Sequence, residues 1–282
     1  MSNKIYFSDK KDRKSFNFYL IKMLSTSLHF IAPALAKKQT KKLLLTPMIS
    51  KKIKFAKTDF KQVKQEAPYG DLNLYRTGSG RKVILTHGWS GGASQFFPLM
   101  QKIADAGFEA IAFDHYGHGK SSGQFANLPL FVKGLNAIIE HEGKNNIACI
   151  ISHSMGTVAA LNQDKSLNHL LIAPTFGFYQ SFEKRILSTG IKSNLFHNML
   201  ADVEQEHQLK FKDLLPEQHL AKTQGRIHIV HDQGDRFAPF DLAKQQVESF
   251  EHVSFTATSG LGHGRVINSD PTWEAFQKLA FN

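Results

Sequence analysis

The sequence predicts an α/β protein, with a largely parallel central sheet covered by helices on both faces. Three observations carry this. Short, almost continuously apolar runs such as Val83-Ile84-Leu85-Thr86 and residues 147–152 recur between helix-length stretches. Strands hidden on both faces read that way, because neither face meets water. Several of these runs end in tight, glycine-bearing turns, as strands in such sheets do. A chain of 282 residues with 41% hydrophobic and 21% charged residues also has material for a sizeable core, which excludes global disorder.

Residues 1–15 are polar and lysine-rich. From 16 to 36 the chain turns apolar, but Asn17, Lys22, His29 and Pro33 interrupt the run. That falls short of the ~18 largely uncharged residues a membrane span requires. Ala34-Leu35-Ala36 resembles a cleavage site, yet the long basic start and Lys22 argue against a cleaved secretory signal. Leu20, Met23, Leu24, Ser27 and Leu28 fall at helical spacing, and Leu43-Leu44-Leu45 before Pro47 forms a second short run. The expectation is one or two amphipathic helices packed back on the body. The alternative lays them on an anionic membrane surface, with lysines at the head groups.

After the basic stretch 51–57 the pattern changes to alternation. Residues 60–66 and 72–77 flank Ala67-Pro68-Tyr69-Gly70-Asp71 and predict a β-hairpin. Strands follow at 83–86, 108–113, 147–152 and 170–173, with helices at 93–106, 129–142 and 155–163 between them. The alternation resumes with strands at 226–231 and 253–258 and helices near 240–250 and 271–280. Between Pro174 and Arg226 it is lost. That stretch carries Phe176, Phe178, Tyr179, Phe182, Phe196 and Phe211, and it is too long for a bare loop. It predicts a helical cap at about 175–225, inserted after the sixth strand. The chain therefore divides into a basic, amphipathic extension (1–58) and a main α/β domain (59–282).

The charge distribution supports this division. The net charge is +11, and residues 1–60 hold 14 Lys or Arg against 3 Asp or Glu. The remaining residues balance at 21 of each sign. The basicity belongs to the extension, where it would attract anionic surfaces. No zinc-finger spacing or RNA-binding aromatic signature points to nucleic acid. Cys149, the single cysteine, lies in an apolar run and reads as a buried structural thiol. Neither a metal nor a cofactor is implied, since no Cys cluster or His pair stands at ligand spacing. Together these place the expectation on a cytoplasmic protein, with contact at the inner membrane face through residues 1–57 as the alternative. The oligomeric state has no signature in the sequence.

Five segments stand out. Ser152-His153-Ser154-Met155-Gly156 follows an apolar strand and opens a helix. A serine on such a turn projects clear of the sheet, beside a helix N-terminus whose free amides favour negative charge. Asp232 and Asp235 both follow the strand 226–231, and the stretch closes on Ala238-Pro239. Leu261-Gly262-His263-Gly264-Arg265 follows the last strand, and its flanking glycines set His263 apart from the other histidines, of which there are 14 in all. His197, His207 and His219 in the cap read as surface residues. Thr86-His87-Gly88-Trp89 ends the first long strand, and Asp114-His115-Tyr116-Gly117-His118-Gly119-Lys120-Ser121 ends the next.

These segments, taken in order, resemble the α/β-hydrolase family over roughly residues 60–282. In that family the elbow reads G-x-S-x-G, and here Ser152 replaces its first glycine. The resemblance implies Ser154 as nucleophile, Asp235 as the acid and His263 as general base, with Asp232 as the fallback acid. It also implies an oxyanion hole built from the backbone N–H groups of Trp89 and Met155. The Asp114 turn takes a structural role. A serine nucleophile implies acyl transfer to water from a small-molecule ester. The Phe- and Leu-rich cap favours a small to medium acyl chain. Alternatives with the same three residues are a membrane-peripheral lipid hydrolase, a thioesterase or an acyltransferase. A non-catalytic binding protein on the same fold is the remaining alternative.

Overall fold

The computed structural model describes residues 16–48 and 60–281. Within them an eight-stranded sheet runs in the order β1-β2-β4-β3-β5-β6-β7-β8. The strands are β1 (Lys61–Gln65), β2 (Leu72–Gly78), β3 (Lys82–Thr86), β4 (Glu109–Asp114), β5 (Ile147–His153), β6 (His169–Ile172), β7 (Ile227–Asp232) and β8 (Val253–Thr258). β1 and β2 form the expected hairpin, pairing Lys61 with Arg76 and Gln65 with Leu72. β2 lies antiparallel to β4, and every remaining pair is parallel.

Helices α1 (Phe16–Ile31) and α2 (Pro33–Leu45) precede the sheet. Pro33, which lacks a backbone N–H, ends the first and opens the second. In the sheet region come α3 (Phe97–Asp105), α4 (Leu128–Glu142) and α5 (Gly156–Leu161). The segment between β6 and β7 carries α6 (Phe178–Ser188), α7 (Ser193–His207) and the short α8 (Glu217–Leu220). The chain closes with α9 (Phe240–Val247), the single turn α10 (Gly262–Arg265) and α11 (Asp270–Ala280).

Alternation along the strands divides the core between two faces. Val83 and Leu85 of β3 join Ile103, Phe108 and Phe276 on the side of α3 and α11. Ile84, one residue out of phase, joins Phe131, Leu135 and Ile138 of α4 on the other. Both faces are dry, which is why these strands read as unbroken apolar runs.

β4 lies on one side of β3 and β5 on the other, so the sheet winds in opposite directions from its centre. Parallel sheets open a crevice at such a switch point, beyond the carboxyl ends of the strands. The turns after β3, β5, β7 and β8 all emerge at that edge.

The extension divides into two parts. Ala36 and Leu45 of α2 are buried in a cluster with Leu195, Met199 and Val203 of α7 and with Met155. Lys37 and Lys41 pair with Asp202 and Glu206 at 2.8 Å each, on the exposed rim. No residue of α1 is buried. The basic stretch 51–57 lies outside the described residues, as do residues 1–15. Among the described residues no helix is long and apolar enough to cross a membrane.

Candidate active site

Ser154 sits on the turn from β5 to α5 with φ 53°, in the left-handed region. For a residue with a Cβ that conformation is strained, at a typical cost of about 1–3 kcal/mol. The neighbouring glycine makes it possible. A Cβ on Gly156 would lie 2.6 Å from the Thr86 carbonyl oxygen and 2.8 Å from that of His87. Only a hydrogen lets α5 start so close to β3. Ser152, where the family pattern has glycine, is fully buried on β5, and among the described residues its hydroxyl has no hydrogen-bond partner.

The two candidate acids occupy different environments. Asp235 Oδ2 accepts from His263 Nδ1 at 2.7 Å and lies 3.3 Å from His231 Nε2. Its Oδ1 accepts from the backbone N–H groups of Phe237 at 2.7 Å and Ala238 at 3.1 Å. Burial alone would raise the Asp235 pKa, but the hydrogen bonds from His231 and His263 outweigh it and hold the carboxyl below its ordinary range. Asp232 instead accepts from the N–H groups of Gly234 and Leu261 and from Thr258 Oγ1, at 2.9 Å each. It ties the end of β7 to the loop that carries His263, and the imidazole meets Asp235.

His263 stands on the helical turn α10 rather than in an open loop. Phe237 lies against one side of its ring at a centroid distance of 4.9 Å, and His153 lies at 4.6 Å. His153, the residue before Ser154, donates its Nε2–H to the His263 carbonyl at 2.9 Å. These contacts seat the imidazole beside the elbow. The Asp235–His263 bond is formed, whereas no hydrogen bond joins Ser154 Oγ to His263 among the described contacts. In unliganded sites such bonds are often long and tighten only around substrate.

The turn after β3 lies directly against the elbow. A Cβ on Gly88 would approach Ser154 Cβ to 2.8 Å and the Met155 nitrogen to 3.2 Å. The peptide between Gly88 and Trp89 therefore borders the Met155 amide. Two neutral histidines hold this turn. His87 donates Nδ1–H to the Gly88 carbonyl at 2.7 Å and accepts the His115 N–H on Nε2 at 3.0 Å. His118 donates Nδ1–H to the Tyr116 carbonyl at 3.1 Å and accepts the Ser90 N–H on Nε2, also at 3.1 Å. Each ring uses one nitrogen as donor and the other as acceptor, which fixes the neutral tautomer. Burial lowers their pKa values to about 4 and about 3. The indole of Trp89 stacks on Phe131 at 6.4 Å.

The Asp114 turn is structural, as the sequence implied. Its carboxylate accepts from Ala93 N at 2.9 Å and from Lys120 N and Asn73 Nδ2 at 3.1 Å. His115 is buried against Phe131, with ring centroids 3.8 Å apart. His207 departs from the sequence reading. It is buried, not at the surface, because α7 presses it against α4, where Asn127 Nδ2 donates to its Nε2 at 3.2 Å. His219 is half-buried through a bond to the Asp213 carbonyl, and His197 is exposed. Sequence reasoning missed the part played by His153, whose contact with His263 spans 110 residues.

Residues 79–227 match the family model described as serine aminopeptidase, S33. The chain belongs to this family of α/β-hydrolases. Solved structures share its fold at low identity. The esterase Pf2001 of Pyrococcus furiosus superposes with a TM-score of 0.60 at 17% identity, covering 84% of this chain and 98% of that one. Est1E from Butyrivibrio proteoclasticus, solved with ferulic acid, gives 0.59 at 15%, covering 78% and 100%. A thioesterase domain from the curacin biosynthetic pathway gives 0.58 at 14%, covering 80% and 100%. The non-heme chloroperoxidase CPO-A1 of Kitasatospora aureofaciens is 30% identical over 81 residues, which span 28% of this chain and 29% of that protein. Among the described residues no group of three or more His, Cys, Asp or Glu side chains is placed to hold a metal ion.

Proposed function

We propose that this hydrolase cleaves carboxylic esters of small to medium acyl chain length through an acyl-enzyme on Ser154. The carrying observation is the placement of Ser154 at φ 53° after β5, with the Asp235–His263 pair at 2.7 Å beyond the ends of β7 and β8. In this reading His263 takes the Ser154 proton as the hydroxyl attacks the carbonyl carbon. Asp235 holds the ring with Nδ1 protonated and supports the imidazolium that forms. The N–H groups of Trp89 and Met155 donate to the oxyanion, each donor being worth about 3 kcal/mol to the transition state. The tetrahedral intermediate then collapses with cleavage of the carbonyl–alkoxy bond, and His263 gives the proton to the departing alcohol. Water, deprotonated in turn by His263, attacks the acyl-enzyme and releases the acid and Ser154.

The surroundings favour an apolar acyl group. Met155, next to the nucleophile, belongs to a cluster with Leu128, Ile186, Trp89, Phe178, Tyr179 and Phe182. The family's name refers to aminopeptidases, which must hold a substrate ammonium with carboxylates. The acidic side chains of α6 and α7 are engaged elsewhere: Glu183 with His197 at 2.6 Å, Glu204 with the Phe211 N–H, Asp202 and Glu206 with α2. Similarity to esterases and a thioesterase agrees with an ester or thioester carbonyl.

A fluorophosphonate probe should label the protein at Ser154, and a panel of p-nitrophenyl esters should show turnover that peaks at short to medium chains. Labelling that persists in Ser154→Ala would overturn the assignment.

A further inference from the structure

We infer that α1 is a docking surface for an anionic lipid bilayer, and that it lies in the head-group region with its outward face against the acyl chains. This rests on the exposure and charge of α1 and not on the ester reading.

The helix is attached to the protein by its more polar side. Ser25 Oγ accepts from the Lys192 N–H at 3.2 Å and donates to the Gly190 carbonyl at 3.3 Å. Gly190 comes so close that a Cβ there would meet the Phe18 carbonyl oxygen at 2.3 Å. Phe18, Ser25, Thr26, Leu28 and His29 are the half-buried positions, and at 100° per residue they share one side of the helix. The opposite sector, about 140° wide by the same geometry, holds Phe16, Tyr19, Leu20, Met23, Leu24, Phe30 and Ile31, interrupted only by Ser27. All seven are exposed, Phe16 at 81%, Met23 at 60% and Ile31 at 83%. An ordinary surface helix turns its apolar stripe inward, whereas this one presents it to solvent.

Charge selects the occupant. Residues 16–48 contain five lysines and no Asp or Glu; Lys37 and Lys41 are paired with Asp202 and Glu206, which leaves Lys22, Lys38 and Lys42, and residues 1–60 as a whole carry 14 basic against 3 acidic side chains. Lys38 and Lys42 are exposed on the adjoining helix. An apolar stripe with a basic surround complements anionic head groups above acyl chains. A second copy of the chain would bring the same positive charge to the same face. Among the described residues α1 covers 16 positions and no helix is long and apolar enough to cross a membrane, so in this proposal α1 lies in the interface.

The test is co-sedimentation of the full chain with vesicles of phosphatidylcholine alone or of phosphatidylcholine and phosphatidylglycerol in equal parts. Met23→Gln combined with Leu24→Gln removes apolar contact while leaving every lysine in place. Both positions are exposed, so the urea midpoint should match the wild type and report an intact fold. The expected result is capture by the anionic vesicles and at least a tenfold loss of affinity in the double variant. Equal capture of wild type and variant would mean that the lysines alone bind, and would overturn the role of α1. So would no capture on anionic vesicles, or a dimer in light scattering that the double variant dissociates.

Discussion

His153 Nε2–H donates to the carbonyl of His263 at 2.9 Å, so the residue before the candidate nucleophile holds the backbone of the candidate base. Gln95 Nε2 lies 3.5 Å from the other ring nitrogen. Burial, and then the nearby His263, lower the His153 pKa to about 3, which keeps the ring neutral across the working range. It acts as a positioning residue and not as an acid or base. His153→Ala should lower kcat about tenfold, which corresponds to about 1.4 kcal/mol, while KM changes little. His153→Gln, which retains an N–H donor, should recover part of the loss. The acid limb of the pH–rate profile should be unchanged in both variants. A limb that vanishes with His153 would show that this ring carries the proton.

The two aspartates make separable predictions. Asp235→Asn removes the charge facing His263 and favours the wrong tautomer, so kcat should fall by about 10⁴-fold, and the stability that its charged hydrogen bonds contribute is lost with it. Asp232→Asn weakens the acceptor for Gly234, Leu261 and Thr258, and should chiefly lower the urea midpoint. Steady-state kinetics and denaturation on both variants decide the matter. A larger kinetic loss at position 232 would reverse the assignment.

Much of the site could be read from the sequence because its signals are local. A small residue at 156, a turn-forming stretch before Ala238-Pro239 and glycines on either side of His263 each mark one strand end. What escaped depends on packing between distant segments. The burial of His207 follows from α7 lying on α4, which nothing near position 207 encodes. The helical repeat of 16–31 is the same whether its apolar stripe faces in or out, so only coordinates could show that α2 packs on the body while α1 turns outward. His263 on a helical turn was equally hidden, since glycines on both sides suggest a loop.

Acid sensitivity follows from buried histidines. Burial lowers His87 to about 4 and His118, His153 and His169 to about 3, against an ordinary value near 6.5. Below that ordinary value the unfolded chain binds protons at these sites and the folded chain does not. The stability they allow is therefore complete above about pH 6.5 and drains away as pH falls toward their folded values. Asp235, also depressed, adds stability that is lost below the usual carboxylate range near pH 4. Urea midpoints should fall steadily from pH 7 to pH 4. His169→Gln, remote from the site on β6, should flatten that slope. An unchanged slope would show that His169 protonates in the folded protein.

Ser152 offers a test of the departure from the family's first glycine. Its hydroxyl is buried without a partner among the described residues, and such a group typically costs about 1–3 kcal/mol. Ser152→Ala keeps the Cβ that β5 already accommodates and removes the orphan oxygen. Stability to urea should rise by about 1 kcal/mol with turnover unchanged. A drop in stability would mean that the hydroxyl has a partner, such as a bound water.

Gly88→Ala probes the contact between the turn after β3 and the elbow. The added Cβ would be forced to 2.8 Å from Ser154 Cβ and 3.2 Å from the Met155 nitrogen. Both neighbours belong to well-packed elements, so the strand turn must retreat and carry the Trp89 N–H away from the oxyanion position. His87 and His118 still anchor the turn on its far side, which limits the disturbance to this contact. The expected result is a fall in kcat of about 10²–10³, the loss of one oxyanion donor. Covalent labelling of Ser154 by the fluorophosphonate should slow in parallel, because its attack passes through a similar charged oxygen. A variant that labels and turns over at the wild-type rate would show that the Trp89 amide takes no part in stabilising the transition state.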